Sequence, residues 1–142
     1  MKGLPGLIRL HQWKLDEARR QLVALESLAD DFRRQIASLD AELRREADIA
    51  RSSEEAARLY GSYLTASRTR RQRLDNSLAE VVRQISEAHG QVTRAFQELK
   101  RYELALDARE KKQADHALPL GRLRPCEGRT CRRFAEGRLQ TA

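Results

Sequence analysis

One heptad grid runs from Ile8 to Leu106, and nothing else in the chain restricts its fold as much. Positions spaced alternately three and four apart read Leu15, Ala18, Leu22, Leu25, Ala29, Phe32, Ile36, Leu39 and Leu43. Later they read Leu74, Leu78, Val81, Ile85, Ala88, Val92, Ala95, Leu99, Tyr102 and Leu106. An apolar stripe of this period lies along one edge of an α-helix and is buried only against a second helix, so the pattern predicts a coiled coil. Composition points the same way. A chain of 142 residues that is 35% charged and 5% aromatic cannot enclose a broad core, but it can bury a narrow seam. Between Gly6 and Pro119 there is no proline, and the only glycines are Gly61 and Gly90, so nothing imposes strands and turns.

The seam is closed either by the chain folding back on itself or by a second chain. Ser52-Ser53-Glu54-Glu55 offers a Ser-x-x-Glu capping box with acidic residues in the first turn of a new helix. Arg44 and Arg45 suit the end of the preceding one. The expected fold is therefore all-α, an antiparallel coiled-coil hairpin over residues 1–116. Its first helix covers about 4–49, its turn about 50–53 and its longer second helix about 53–115. Gly61-Ser62 is a second candidate turn, since glycine accepts a left-handed cap. The competing architecture is one continuous helix per chain in a homodimeric scaffold, because the heptad phase continues through Ala50, Ala57, Tyr60 and Leu64. Glu46, Ser53, Ser67 and Arg71 occupy grid positions between Leu43 and Leu74, so the seam is weakest around the turn.

The net charge of +7 is unevenly placed. Residues 117–142 carry Arg122, Arg124, Arg129, Arg132, Arg133 and Arg138 against Glu127 and Glu136, which accounts for +4 of it. With Pro119, Pro125 and three glycines, this segment is expected to be a disordered tail. The first 116 residues are nearly balanced, which argues against a general nucleic-acid binder. Arg68-Thr-Arg70-Arg71-Gln-Arg73 ahead of Leu74 and Leu78 looks superficially like a basic region feeding a zipper, but the cluster is short and lacks a base-reading asparagine upstream.

Catalysis and metal binding find no support either. His11 and His89 occur without placed nucleophiles, and Asp and Glu are scattered over helix faces where ion pairing explains them. Cys126 and Cys131 are spaced Cys-x4-Cys, with the nearest histidine, His116, ten residues upstream; reduced thiols are expected. No catalytic, cofactor-binding or metal site is expected. No segment approaches the apolar length of a membrane span, and Met1 to Leu10 is too short and too polar for a signal peptide, which implies a cytoplasmic protein.

Apolar residues off the grid point to binding. They include Trp13, Val23, Leu28, Leu59, Tyr63, Val82, Phe96 and Leu104. Val23, Leu28, Val82 and Leu104 adjoin or lie close to grid residues and are expected to widen the helix-helix contact. Tyr63 is different, because it stands with Leu59 and Tyr60 beside the weakened part, and neighbouring exposed aromatics anchor partners.

Three stretches resemble one family. Leu7-Ile-Arg-Leu10-His-Gln-Trp13-Lys-Leu-Asp-Glu-Ala-Arg-Arg-Gln-Leu22, Tyr60-Gly-Ser-Tyr63-Leu and Phe96-Gln-Glu-Leu-Lys-Arg-Tyr102-Glu are similar to the FliJ family of the bacterial flagellar type III protein export apparatus. The resemblance spans most of residues 4–115. It implies a non-enzymatic stalk of two antiparallel helices that inserts one end into the hexameric export ATPase and touches the cytoplasmic linker of the export gate, a membrane protein. Some members also escort export chaperones. The implied gate contact corresponds to Leu59, Tyr60 and Tyr63; at Ser67, Arg70 and Leu74 the chain departs from the family pattern. By analogy with other stalks, the implied ring contact is Leu7, Leu10, Trp13, Phe96 and Tyr102. The implied location is cytoplasmic, at the inner membrane of the flagellar base.

Overall fold

The computed structural model describes residues 3–122, with side chains to residue 116. The described chain is all-helical. Helix α1 covers Gly3–Ala50 and helix α2 covers Glu54–Arg122, and the two pack together as an antiparallel hairpin. The continuous-helix alternative is excluded by the break at residues 51–53. The second candidate turn is also excluded, because Gly61 lies within α2 with ordinary helical backbone.

The break is made by hydrogen bonds rather than by glycine. The Ser52 amide and hydroxyl both donate to the Ile49 carbonyl, satisfying one of the acceptors that the end of α1 leaves open. The amide of Ala56 then donates to Ser53 Oγ at 3.1 Å, so Ser53 is the N-cap of α2. This corrects the expected capping box. With Ser53 as the cap, the third helical position is Ala56, so no glutamate reaches back. Glu54 and Glu55 still occupy the first turn, where the helix dipole favours them. Arg44 and Arg45 stop short of the last turn of α1, which contains no basic residue. No described residue has a positive φ.

Burial follows the grid. All eight buried residues among those described, His11, Leu15, Ala29, Leu39, Ser67, Val81, Ala88 and Leu99, lie on it. The other grid residues between Ile8 and Leu106 are half-buried, except Ser53 and Ala57, which are exposed. The expected widening of the seam fails for all four residues: Val23 and Leu104 are 63% and 66% exposed, and Leu28 and Val82 are 41% and 45% exposed. Val23 and Leu104 lie round the helix beyond the positions that flank the seam, whereas Leu28 and Val82 occupy those flanking positions and are covered only in part. Helix α2 also runs past the expected end near residue 115 to Arg122, so that Pro119 and Gly121 lie within it. The rest of the expected tail, with Cys126 and Cys131, lies outside the described residues.

Two compact units divide the chain. One is His11–Gln97, which holds the turn and most of the seam. Here the grid residue Arg71 meets α1 side-on: its Nε donates to Asp40 Oδ1 at 2.8 Å and its Nη2 to Asp40 Oδ2 at 3.2 Å, while Nη1 donates to Asp75 Oδ2 at 2.7 Å. A planar fork matches a carboxylate in this way, so a cation is tolerated in the seam by being neutralised across it. Farther from the turn, His89 Nε2 stands 3.8 Å from Glu26 Oε1. Most other ion pairs are intrahelical and exposed, such as Arg33 with Asp30 and Arg83 with Glu80, and contribute little to stability. The other unit is Met1–Leu10 with Glu98–Ala142; within it Leu99 is buried, and Leu4, Ile8, Tyr102 and Leu106 are half-buried.

Two expectations follow. Gly61 is exposed, helical and surrounded by open space where a Cβ would be. Gly61→Ala is therefore expected to raise the unfolding free energy by about 0.5 to 1 kcal/mol in urea titration. The hydrogen bonds and charge of Arg71 hold the Asp40 carboxyl below its ordinary value of 3.8. A depressed carboxylate stabilises the fold above its unfolded pKa, and that contribution disappears as pH falls through the lower folded value. Stability should thus decline below about pH 4, and Asp40→Asn should remove part of that decline in urea titrations compared across pH.

Candidate functional site: an apolar cleft beside the turn

The last turn of α1 and the first turns of α2 diverge around a cleft of about 290 Å³. It is lined by Glu46, Ile49 and Ala50 from α1 and by Ala56, Leu59, Tyr60 and Tyr63 from α2. The cause lies in the grid. Near the turn α1 supplies the grid residues Glu46 and Ala50, a carboxylate and a methyl, to the cleft lining, and Tyr60 and Tyr63 are left half-buried. Its volume is at the low edge for small-molecule pockets and suits one or two apolar side chains of a partner.

The two tyrosines form one wall, with ring centroids 6.5 Å apart and planes tilted by 35°, within the favoured range for aromatic pairs. Tyr63 is half-buried, and its hydroxyl oxygen is shut off from solvent. Loss of hydration, with smaller contributions from Glu42 and Glu46, raises its pKa above the ordinary tyrosine value, against the opposing effect of Ser67. Although Ser67 and Glu42 perturb its proton affinity, neither completes a hydrogen bond of sound geometry with it. A buried hydroxyl left in this condition carries a desolvation penalty. Leu59 and Ile49 form the rim and are 70% and 54% exposed.

The cleft thus brings together all three residues of the expected gate contact. It also adds Ile49, which the sequence reading missed. The signal was available, because Ile49 is an off-grid apolar residue one step before the turn. Farther along, Ser67 is buried, Leu74 half-buried and Arg70 exposed.

The five residues of the expected ring contact are divided. Leu7, Leu10 and Tyr102 belong to the unit that holds the termini. There Leu7 and Leu10 are exposed and three apart, neighbours on one helix face, and Tyr102 is half-buried on the grid. Trp13 and Phe96 belong to the other unit and are both exposed, Trp13 at 57%.

Among the described residues no group of three or more His, Cys, Asp or Glu is placed to hold a metal ion, and no helix is long and apolar enough to cross a membrane. Comparison with protein-family models, with curated proteins and with solved structures gave no match in any of the three.

Proposed function

We propose that this chain is a non-enzymatic, stalk-like component of the flagellar type III protein export apparatus that couples the export ATPase hexamer to the export gate. The supporting observation is the hairpin with its open cleft: two helices that pack along the heptad grid, with off-grid apolar residues, among them Leu59, Ile49, Trp13 and Phe96, left exposed. Surfaces of this kind bind partners rather than transform substrates. In this reading Leu59, Tyr60 and Tyr63 meet the cytoplasmic linker of the gate, and Leu7, Leu10, Trp13, Phe96 and Tyr102 meet the ring. Export chaperones are further partners, and the protein sits in the cytoplasm, peripherally associated with the inner membrane at the flagellar base through the gate.

A single asymmetric hairpin makes inequivalent contacts with six identical subunits. It favours whichever ring state it binds best, and the shift is limited by that difference in affinity. Adding the chain to purified flagellar export ATPase should therefore raise ATP hydrolysis per subunit and move the enzyme toward the hexamer. If neither changes at excess chain, the stalk reading fails.

A further inference from the structure

Beside the cleft lies a band of arginines that the helices leave uncompensated. Counting from the seam, Ile49 and Tyr63 occupy heptad positions directly flanking it, and Leu59 the next position outward on the same side. Arg70 and Arg73 continue this side of α2, about two and three turns beyond Tyr63, and Arg45 lies one turn before Ile49 on α1. Among the described residues these three guanidinium groups make no ion pair, whereas Arg71, between them in sequence, is held by Asp40 and Asp75. All three are exposed. Exposed cations next to an open apolar cleft define a surface with one apolar and one basic end.

We infer that this surface takes an acidic amphipathic peptide segment of a partner protein, whose apolar side chain enters the cleft between Ile49, Leu59 and Tyr63 and whose carboxylates meet Arg70 and Arg73. The inference rests on placing the gate contact at this end of the hairpin, and it adds the charge of the segment that docks there. Arg70 and Arg73 lie about 10 and 15 Å along the helix from Tyr63. A helical segment therefore presents its carboxylates about seven and ten residues from its anchor. The chain's own C-terminal arginines would meet this band with like charge, which excludes them as the occupant.

The test uses the full chain and a short fluorescent helical peptide carrying one phenylalanine, with glutamates about seven and ten residues beyond it. Its counterpart has lysines in place of the glutamates. Anisotropy should show the glutamate peptide binding roughly 10-fold or more tightly than the lysine peptide, with the difference shrinking in high salt. In the variant Arg70→Glu/Arg73→Glu, with helicity checked by circular dichroism, the preference should invert. Leu59→Ala should weaken both peptides. Equal binding of the two peptides, an unchanged preference in the double variant, displacement of bound peptide by random duplex DNA, or self-association of the chain that occludes the peptide would each overturn the inference. Stimulation of the export ATPase is read in the same preparations. A charge-blind cleft with stimulation intact defeats this inference alone, whereas lost stimulation in the unaltered chain defeats the stalk reading.

Discussion

Leu39→Ala is expected to lower the unfolding free energy by about 2 to 4 kcal/mol, the cost of removing a buried leucine and leaving a cavity that relaxes only in part. Leu39 is 4% exposed and sits on the grid. It also directly precedes Asp40, whose carboxylate must stay aligned with Arg71 across the seam. In a chain with so narrow a core there is little neighbouring apolar mass to close the void, so the effect should fall in the upper half of that range. Chemical denaturation monitored at 222 nm reads it directly. Trp13→Ala is the control: the larger side chain lies on the outside of α1, more than half exposed, and its loss should change stability by no more than about 0.5 kcal/mol. If the two variants cost the same, the grid is not the core.

The second large effect concerns binding. If the chain is the export stalk proposed above, Leu59→Asp should weaken its complex with the gate linker roughly 10-fold or more, because a carboxylate at the rim of the cleft must be desolvated against Tyr63 and Glu46. Leu59 makes so little contact within the hairpin that stability should stay within about 0.5 kcal/mol of the parent. Tyr63→Phe sharpens the comparison. Removing a hydroxyl that is buried and without a hydrogen-bond partner should leave the hairpin as stable or slightly more so, and, because a docking partner does not reach that oxygen, should leave affinity at the cleft unchanged where Leu59→Asp lowers it. Titration calorimetry with the purified linker, alongside urea unfolding of each variant, separates the two. A loss of affinity that merely tracks loss of stability would remove the cleft from consideration as a site.

Much of the architecture was legible because a two-helix hairpin has a single periodic requirement, and this chain meets it with few exceptions. His11 shows how far that requirement reaches, for a histidine on the grid is buried because its position dictates it. The turn was legible to within a residue or two, because serines and glutamates cluster where the grid turns polar. What escaped depended on geometry finer than the period. Ser53 rather than Ser52 caps α2, a one-residue offset that moves the third helical position from Glu55 to Ala56 and abolishes the reciprocal bond. Asp40 looked like any surface carboxylate, since the residue that needs it is 31 positions away and only the register of the folded hairpin brings them together. The cleft was half legible: Leu59, Tyr60 and Tyr63 announced themselves as aromatic and apolar neighbours, whereas Ile49 joins them only because the short turn places the end of α1 beside the start of α2.

The fork between Arg71 and Asp40 also bears on the order in which the chain folds. The turn itself carries the poorest packing, so closing the tip alone gains little to offset the ordering of its residues. The first place where the returning helix gains both apolar contact and a geometrically exacting charge match is the layer of Leu39, Asp40 and Arg71. Closing a loop of that size costs only about 0.6 kcal/mol less than closing one twice as long, about the separation of Glu26 and His89. Folding is expected to start a few turns inside the hairpin and spread outward, so substitution of Leu39 should slow refolding more than substitution of a grid residue far from that layer, such as Leu99. A shift of one heptad would set Arg33 or Ala47 in the place of Asp40 and leave the Arg71 fork without its carboxylate, so the pair favours one register over its neighbours.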